Sequence, residues 1–126
     1  MFRTLLVDDN SAFRQSFKEI LHVRFPLMVI EEATEGKEAM QKVHAFRPNL
    51  VFMDIKLPGE NGLELTKRIK AHDPGIIVII LTSYDLPEYR RAAPQYGADY
   101  FLSKDSSSGN EVVSLVESVL SGQTIT

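Results

Sequence analysis

Short apolar runs alternate with amphipathic stretches along the whole chain, and the period of each run predicts its element. Leu5-Leu6-Val7 reads as a strand. Phe13, Phe17, Ile20 and Leu21 then recur at helical spacing on one face, after Asn10-Ser11 as an N-cap pair. Val29-Ile30 is a second strand, and the polar Glu31-Glu32 beside it suggests a sheet edge. Thr34 can cap a helix that runs to about Arg47 and buries Ala39, Met40 and Val43. Leu50-Val51-Phe52-Met53 is a third strand, followed by a turn at Pro58-Gly59. Asn61, with Glu64 three residues on, resembles a capping box that opens a helix through Leu65 and Ile69.

Ile76 to Leu81 is apolar at every position, as suits a central parallel strand covered on both faces. Pro87 lies near the start of a fourth helix, where proline is tolerated. Pro94 lies deeper, where it removes a backbone bond and should kink or shorten the helix. Tyr100-Phe101-Leu102 is the fifth strand, and Tyr100 should face the opposite side of the sheet from Phe101. Ser108 and Glu111 form a second capping box ahead of Val112, Leu115, Val116, Val119 and Leu120, with Gly122 as the stop. Strands alternating with helices in this way imply an α/β domain with a parallel sheet and right-handed crossovers.

Composition narrows the class only a little. The 126 residues make one domain, and 44% apolar content agrees with a globular one. A net charge of −3 argues against a surface that coats nucleic acid. The absence of cysteine removes disulfides, thiolate zinc sites and thiol nucleophiles together. No apolar run is long enough to span a membrane, and the N-terminus lacks a signal pattern, so the cytoplasm is the expected location.

The chemistry lies just past the end of each strand. The first ends in Asp8-Asp9, the third in Asp54, the fourth in Thr82-Ser83 and the fifth in Ser103-Lys104. In an open parallel sheet, ligands bind at the carboxyl ends of the strands. Each group has an ordinary role when taken singly: the aspartates and Thr82-Ser83 as helix caps, Lys104 as a solvated lysine. Their joint placement on one rim is what independent caps would not select. Three carboxylates together raise a pKa sharply unless a cation compensates, and Lys104 supplies only one charge. A hard divalent cation bound through oxygen, Mg2+, completes the balance. A phosphoryl group is what such a site would orient, with Lys104 and the Thr82 hydroxyl on its oxygens.

Four segments carry a resemblance: Leu5 to Asn10, Asp54 to Gly62, Leu81-Thr82-Ser83 and Gly97 to Lys104. Together they resemble the receiver domains of two-component response regulators over about residues 3 to 122, with 123 to 126 as a tail or the start of a linker. The resemblance implies a flavodoxin-like, doubly wound sheet of five parallel strands in the order 2-1-3-4-5, with five helices. It implies phosphorylation of Asp54 and Mg2+ held by Asp9, Asp54 and the backbone carbonyl of Lys56, with Asp8 acting through metal-bound water. Thr82 and Phe101 would be the switch pair, and Lys104 the phosphate partner. The donor would be a sensor histidine kinase or phosphotransfer protein, and the protein a signalling device, not a turnover enzyme. Residues 102 to 122 look similar to receivers that precede LuxR-type DNA-binding domains. That leaves room for such an output domain in a longer protein and for a homodimer formed on phosphorylation, with no nucleic acid or membrane bound by this domain itself.

Two departures from the family pattern stand out. Lys104 precedes Asp105 where many receivers have proline, and a cis bond without proline costs about 3 kcal/mol. Phe101 lacks a hydroxyl, so packing alone must set its position. Lys56 and Tyr84, two residues past Asp54 and Thr82, should project over the rim and slow hydrolysis of the phosphoryl group. Two other classes compete. A Mg-dependent phosphohydrolase would want a second acid two residues after its Asp nucleophile, where Lys56 stands. A flavin-binding module would want a phosphate-cradling loop after the first strand, where Asp8-Asp9 would repel phosphate.

Overall fold

A computed structural model describes residues 2–105 and 108–125. The main sheet contains β1 (Arg3–Val7), β2 (Val29–Ala33), β3 (Leu50–Met53), β6 (Ile77–Thr82) and β7 (Tyr100–Ser103), all parallel, in the order β2-β1-β3-β6-β7. The helices are α1 (Ser11–Arg24), α2 (Gly36–Phe46), α3 (Gly62–His72), α4 (Pro87–Gln95) and α5 (Gly109–Ile125). Between β3 and α3 lies an antiparallel hairpin of two-residue strands, β4 (Lys56–Leu57) and β5 (Glu60–Asn61). With that hairpin set aside, the order is the expected 2-1-3-4-5. Periodicity does not predict the hairpin, because two-residue strands leave none. Its signal is the turn: Pro58 fixes one φ, and Gly59 supplies the φ of +70° that the reversal needs.

Central strands are buried on both faces, and their side chains alternate between two cores. Leu5, Val7, Val51, Met53, Val78 and Ile80 point into one core, closed by Ala39 and Val43 of α2, Leu65 and Ile69 of α3, and Ala93 of α4. Leu6, Leu50, Phe52, Ile79 and Leu81 point into the other, closed by Phe17 and Leu21 of α1 and Val112 and Val116 of α5. Phe17 sits edge-on to Phe52, with ring centroids 4.9 Å apart. Each fully buried aliphatic or aromatic side chain contributes about 1.5–3 kcal/mol. β2 lies at the sheet edge, as Glu31-Glu32 suggested, and those glutamates are paired by Lys42 and by Arg14 and Lys18.

Several local expectations need correction. Glu35, not Thr34, caps α2: its carboxylate accepts the Glu38 N–H at 2.7 Å, while Thr34 donates to the Glu38 carboxylate. The cap is shifted by one residue because a glutamate does the work of the shorter threonine. Arg47 ends that helix in a left-handed conformation. Ile20 lies at the margin of the α1 face and is 39% exposed. Gly122 does not stop α5, which runs on to Ile125; a Cβ at Gly122 would meet open space, and its backbone is not left-handed. A helix tolerates such a glycine at a cost of about 1 kcal/mol. The caps at Asn10, Asn61 and Ser108 are as expected, each accepting a backbone N–H from the first turn. No cis peptide bond occurs among the described residues, so Lys104–Asp105 is trans.

Candidate functional site: an acidic cluster at the carboxyl rim of the sheet

Parallel pairing brings the ends of β1, β3, β6 and β7 to one rim, and the residues just beyond them meet there. Asp8 continues the β1 ladder by donating its N–H to the Ala33 carbonyl, and Asp54 extends β3 by donating to the Val7 carbonyl. Their side chains are therefore fixed by sheet geometry and not by loop conformation. Asp8 and Asp54 are buried, at 4% and 6% exposure, whereas Asp9 is open to solvent. One carboxylate oxygen from each of the three lies within 4.8 Å of the others.

Lys104 reaches in from the end of β7. Its Nζ stands 2.6 Å from Asp8 Oδ2 and 3.2 Å from Asp54 Oδ2, with the Phe13 ring centroid at 4.1 Å. The remaining oxygens are also held: Asp8 Oδ1 accepts the Asn10 N–H at 2.9 Å, and Asp54 Oδ1 accepts the Ile55 N–H at 2.7 Å. Burial pushes the Asp8 carboxyl up, and the hydrogen bonds from Lys104 and Asn10 only partly reverse it. Burial works against the Lys104 ammonium too, but the Asp8 and Asp54 carboxylates outweigh it and hold its pKa above the usual lysine value. Three carboxylates against one ammonium leave two negative charges uncompensated. An all-oxygen donor set with one exposed and two buried carboxylates fits a hard divalent cation that keeps several waters.

Thr82, the last residue of β6, is fully buried, and its hydroxyl accepts the Tyr84 N–H at 3.2 Å. Phe101, on the neighbouring strand, is partly buried against the α4 side of the sheet, with the Arg90 guanidinium 4.7 Å above its ring. Tyr100 points away and is 43% exposed, as the alternation required. Lys56 begins the hairpin with an exposed side chain, its Nζ 5.4 Å from the Tyr84 ring centroid and 5.8 Å from that of Tyr89. The rim thus gathers Asp8, Asp9 and Asp54, with Lys104 on Asp8 and Asp54 and its backbone N–H on the Thr82 carbonyl, while Lys56 meets Tyr84 and Phe101 lies on the α4 side of the sheet. The sequence did not reveal Phe13, Tyr89 or Arg90 as neighbours of these groups. Aromatic or basic helix residues carry no mark of which strand end they overhang. Arg14, which donates to the Asp8 carbonyl oxygen and to Glu32, was equally silent.

The family described as the response regulator receiver domain matches residues 4–117. This chain is a response regulator receiver domain. Among curated relatives, the receiver is 37% identical over 102 residues to the chemotaxis protein CheY of Halobacterium salinarum, covering 81% of this chain and 83% of that protein. It is 34% identical over 122 residues to the transcriptional regulatory protein LnrK of Bacillus subtilis, covering 97% of this chain and 55% of that protein. The receiver spans about half the length of most curated relatives it matches. Among solved structures, a CheY-like receiver domain protein from Methanospirillum hungatei superposes with a TM-score of 0.89 at 30% identity, covering 98% of this chain and 97% of that one. Receivers are signalling domains, and several relatives are DNA-binding or transcriptional regulators. Among the described residues, no helix is long and apolar enough to cross a membrane.

Proposed function

We propose that this receiver accepts a phosphoryl group on Asp54 from a histidine kinase or phosphotransfer protein and passes the change to an output domain or partner. The observation that carries this reading is the pairing of buried Asp54 with Lys104 inside a cluster of three carboxylates that one ammonium cannot neutralise. In the transfer, a carboxylate oxygen of Asp54 attacks phosphorus in line. The bond from phosphorus to the donor imidazole nitrogen breaks as the new P–O bond forms, and the imidazole leaves with the electron pair. Lys104 supplies positive charge to the transferring oxygens, and the Thr82 hydroxyl donates to one of them.

Asp9, Asp54 and the Lys56 carbonyl would hold Mg2+, which when bound supplies charge neutralisation and orientation. Asp8, with one oxygen on Lys104 and the other on the Asn10 N–H, suits contact through metal-bound water. Engagement of Thr82 by the phosphoryl group frees space for Phe101 to turn inward, repositioning α4. Lys56 and Tyr84 overhang the approach to phosphorus and slow hydrolysis of the acyl phosphate.

The receiver occupies residues 1–122 of a cytoplasmic protein whose output is transcriptional, through a DNA-binding domain C-terminal to it; phosphorylation would favour its homodimer. The transcriptional relatives support that reading. A phosphohydrolase reading is disfavoured because Lys56 stands where its second acid belongs. Incubation with acetyl phosphate and Mg2+ should add one phosphoryl group, seen by intact mass. An adduct that persists in Asp54→Asn overturns the assignment.

A further inference from the structure

The Lys56 ammonium is held between two tyrosines that belong to the other side of the site. Tyr84 lies in the loop after β6, and Tyr89 lies in the first turns of α4, partly buried against the core. Both ring centroids fall inside the distance at which a cation is attracted to an aromatic face. Lys56 starts the hairpin that comes after Asp54, and β3 and β6 are adjacent in the sheet. The Lys56–Tyr84 contact therefore bars the rim across the ends of those two strands, where Asp54 and Thr82 lie. Tyr84 and Lys56 are both exposed, so neither is fixed by its own burial. Tyr89 alone of the three has core contacts that fix it.

We infer that Tyr89 is a positioning residue for phosphoryl-group lifetime: it anchors the Lys56 side chain across the rim and makes that lifetime depend on where α4 stands. This rests on the reading of Asp54 as the phosphoacceptor. Among the described residues, no hydrogen bond or ring contact joins Tyr89 to Asp54 or the acidic cluster; it acts through Lys56. When α4 is in place, the bar is closed and in-line water is excluded. The α4 movement that follows phosphorylation keeps Tyr89 within reach of Lys56; a larger displacement carries Tyr89 off Lys56 and opens the path, so a partner that holds α4 would also set how long the signal lasts.

The test uses the whole chain with Tyr89→Leu, Tyr89→Phe and Lys56→Ala, singly and combined. Without metal or donor, the Lys56 ε-methylene protons should be shifted upfield by the two rings, a shift reduced in Tyr89→Leu and kept in Tyr89→Phe. After phosphorylation and removal of the donor, Tyr89→Leu should lose phosphate about two- to fivefold faster, as loss of one exposed cation–aromatic contact predicts. Tyr89→Phe should behave as wild type, and Tyr89→Leu should have no further effect once Lys56 is alanine. A Tyr89→Leu effect equally large in the Lys56→Ala background, or no effect on lifetime at all, overturns the inference. Failure of wild type to take up any phosphoryl group would instead overturn the reading of Asp54, while the proton shifts would still report on the contact.

Discussion

α3 and α4 occupy successive crossovers of one sheet, yet they are anchored in opposite ways. α3 has eleven residues, a side-chain cap from Asn61 and five buried positions, Gly62, Leu63, Leu65, Thr66 and Ile69. Its far end is tied down by Lys70, which donates to the Ile76 carbonyl and pairs with Asp99 at 2.8 Å. α4 has nine residues, no side-chain cap at Leu86, one buried position at Ala93, and Pro94 near its end. Its polar anchors lie at the surface: Arg90 with Asp85, and Arg90 over Phe101. Few buried contacts and an interrupted backbone are the physical content of low local stability. The helix that follows β3, the strand of Asp54, is firmly anchored, and the next one along is weakly held.

The largest expected difference is in global stability. Ile69→Ala in α3 should cost about 2–5 kcal/mol by leaving a cavity. Ala93→Gly, at the one buried position of α4, should cost only about 1 kcal/mol through helix propensity. Urea denaturation compares the two, and equal losses would mean that α4 is as firmly built as α3. Next comes Gly62→Ala. A Cβ there would overlap the Asp54 carbonyl oxygen, so α3 or the Asp54 peptide must shift, costing about 1–3 kcal/mol. Phosphorylation by acetyl phosphate should slow in parallel; an unchanged rate would show that the acceptor does not feel α3.

Local opening is the third measure. In native-state hydrogen exchange, α4 amides should open at least about tenfold more often than those of α3. The smallest effect concerns pH. The hydrogen bond from Arg90 holds the Asp85 carboxyl below its ordinary value of 3.8. A depressed native pKa gives a contribution that is complete above the unfolded value and is lost as pH falls through the native one. The Arg90 Nε–H resonance should therefore titrate below about pH 3.8 and stay flat in Asp85→Asn. Global stability should hardly change, because the pair is exposed.

Much of this molecule was legible in its sequence, for reasons that differ between the fold and the site. The strands were plain because a doubly covered parallel sheet demands continuous apolar runs, and Ile76 to Leu81 can hardly be anything else. The acidic cluster was visible because sheet topology turns scattered strand ends into neighbours. What stayed hidden was side-chain traffic across elements. Lys104 settles closest to Asp8, at 2.6 Å against 3.2 Å from Asp54, a ranking that its place at the end of β7 does not reveal. Phe13 closes over that ammonium, and Tyr89 over Lys56, because of helix rotation that an apolar pattern leaves undetermined. Glu35 displaced Thr34 as a cap because both lie within reach of the same first turn, and only the backbone path decides between them.

Gly62 sets the direction in which the rim can yield. With a hydrogen where a side chain would stand, α3 begins directly against the Asp54 peptide, and the Gly62 N–H donates to the Ile55 carbonyl at 2.8 Å. That joint behaves as a fulcrum. A force applied at the Asp54 carboxylate meets a stiff abutment on the α3 side and a compliant one on the α4 side. On the proposed reading, displacement would run one way, from β3 through β6 toward β7, with little of it spent in recoil of β3.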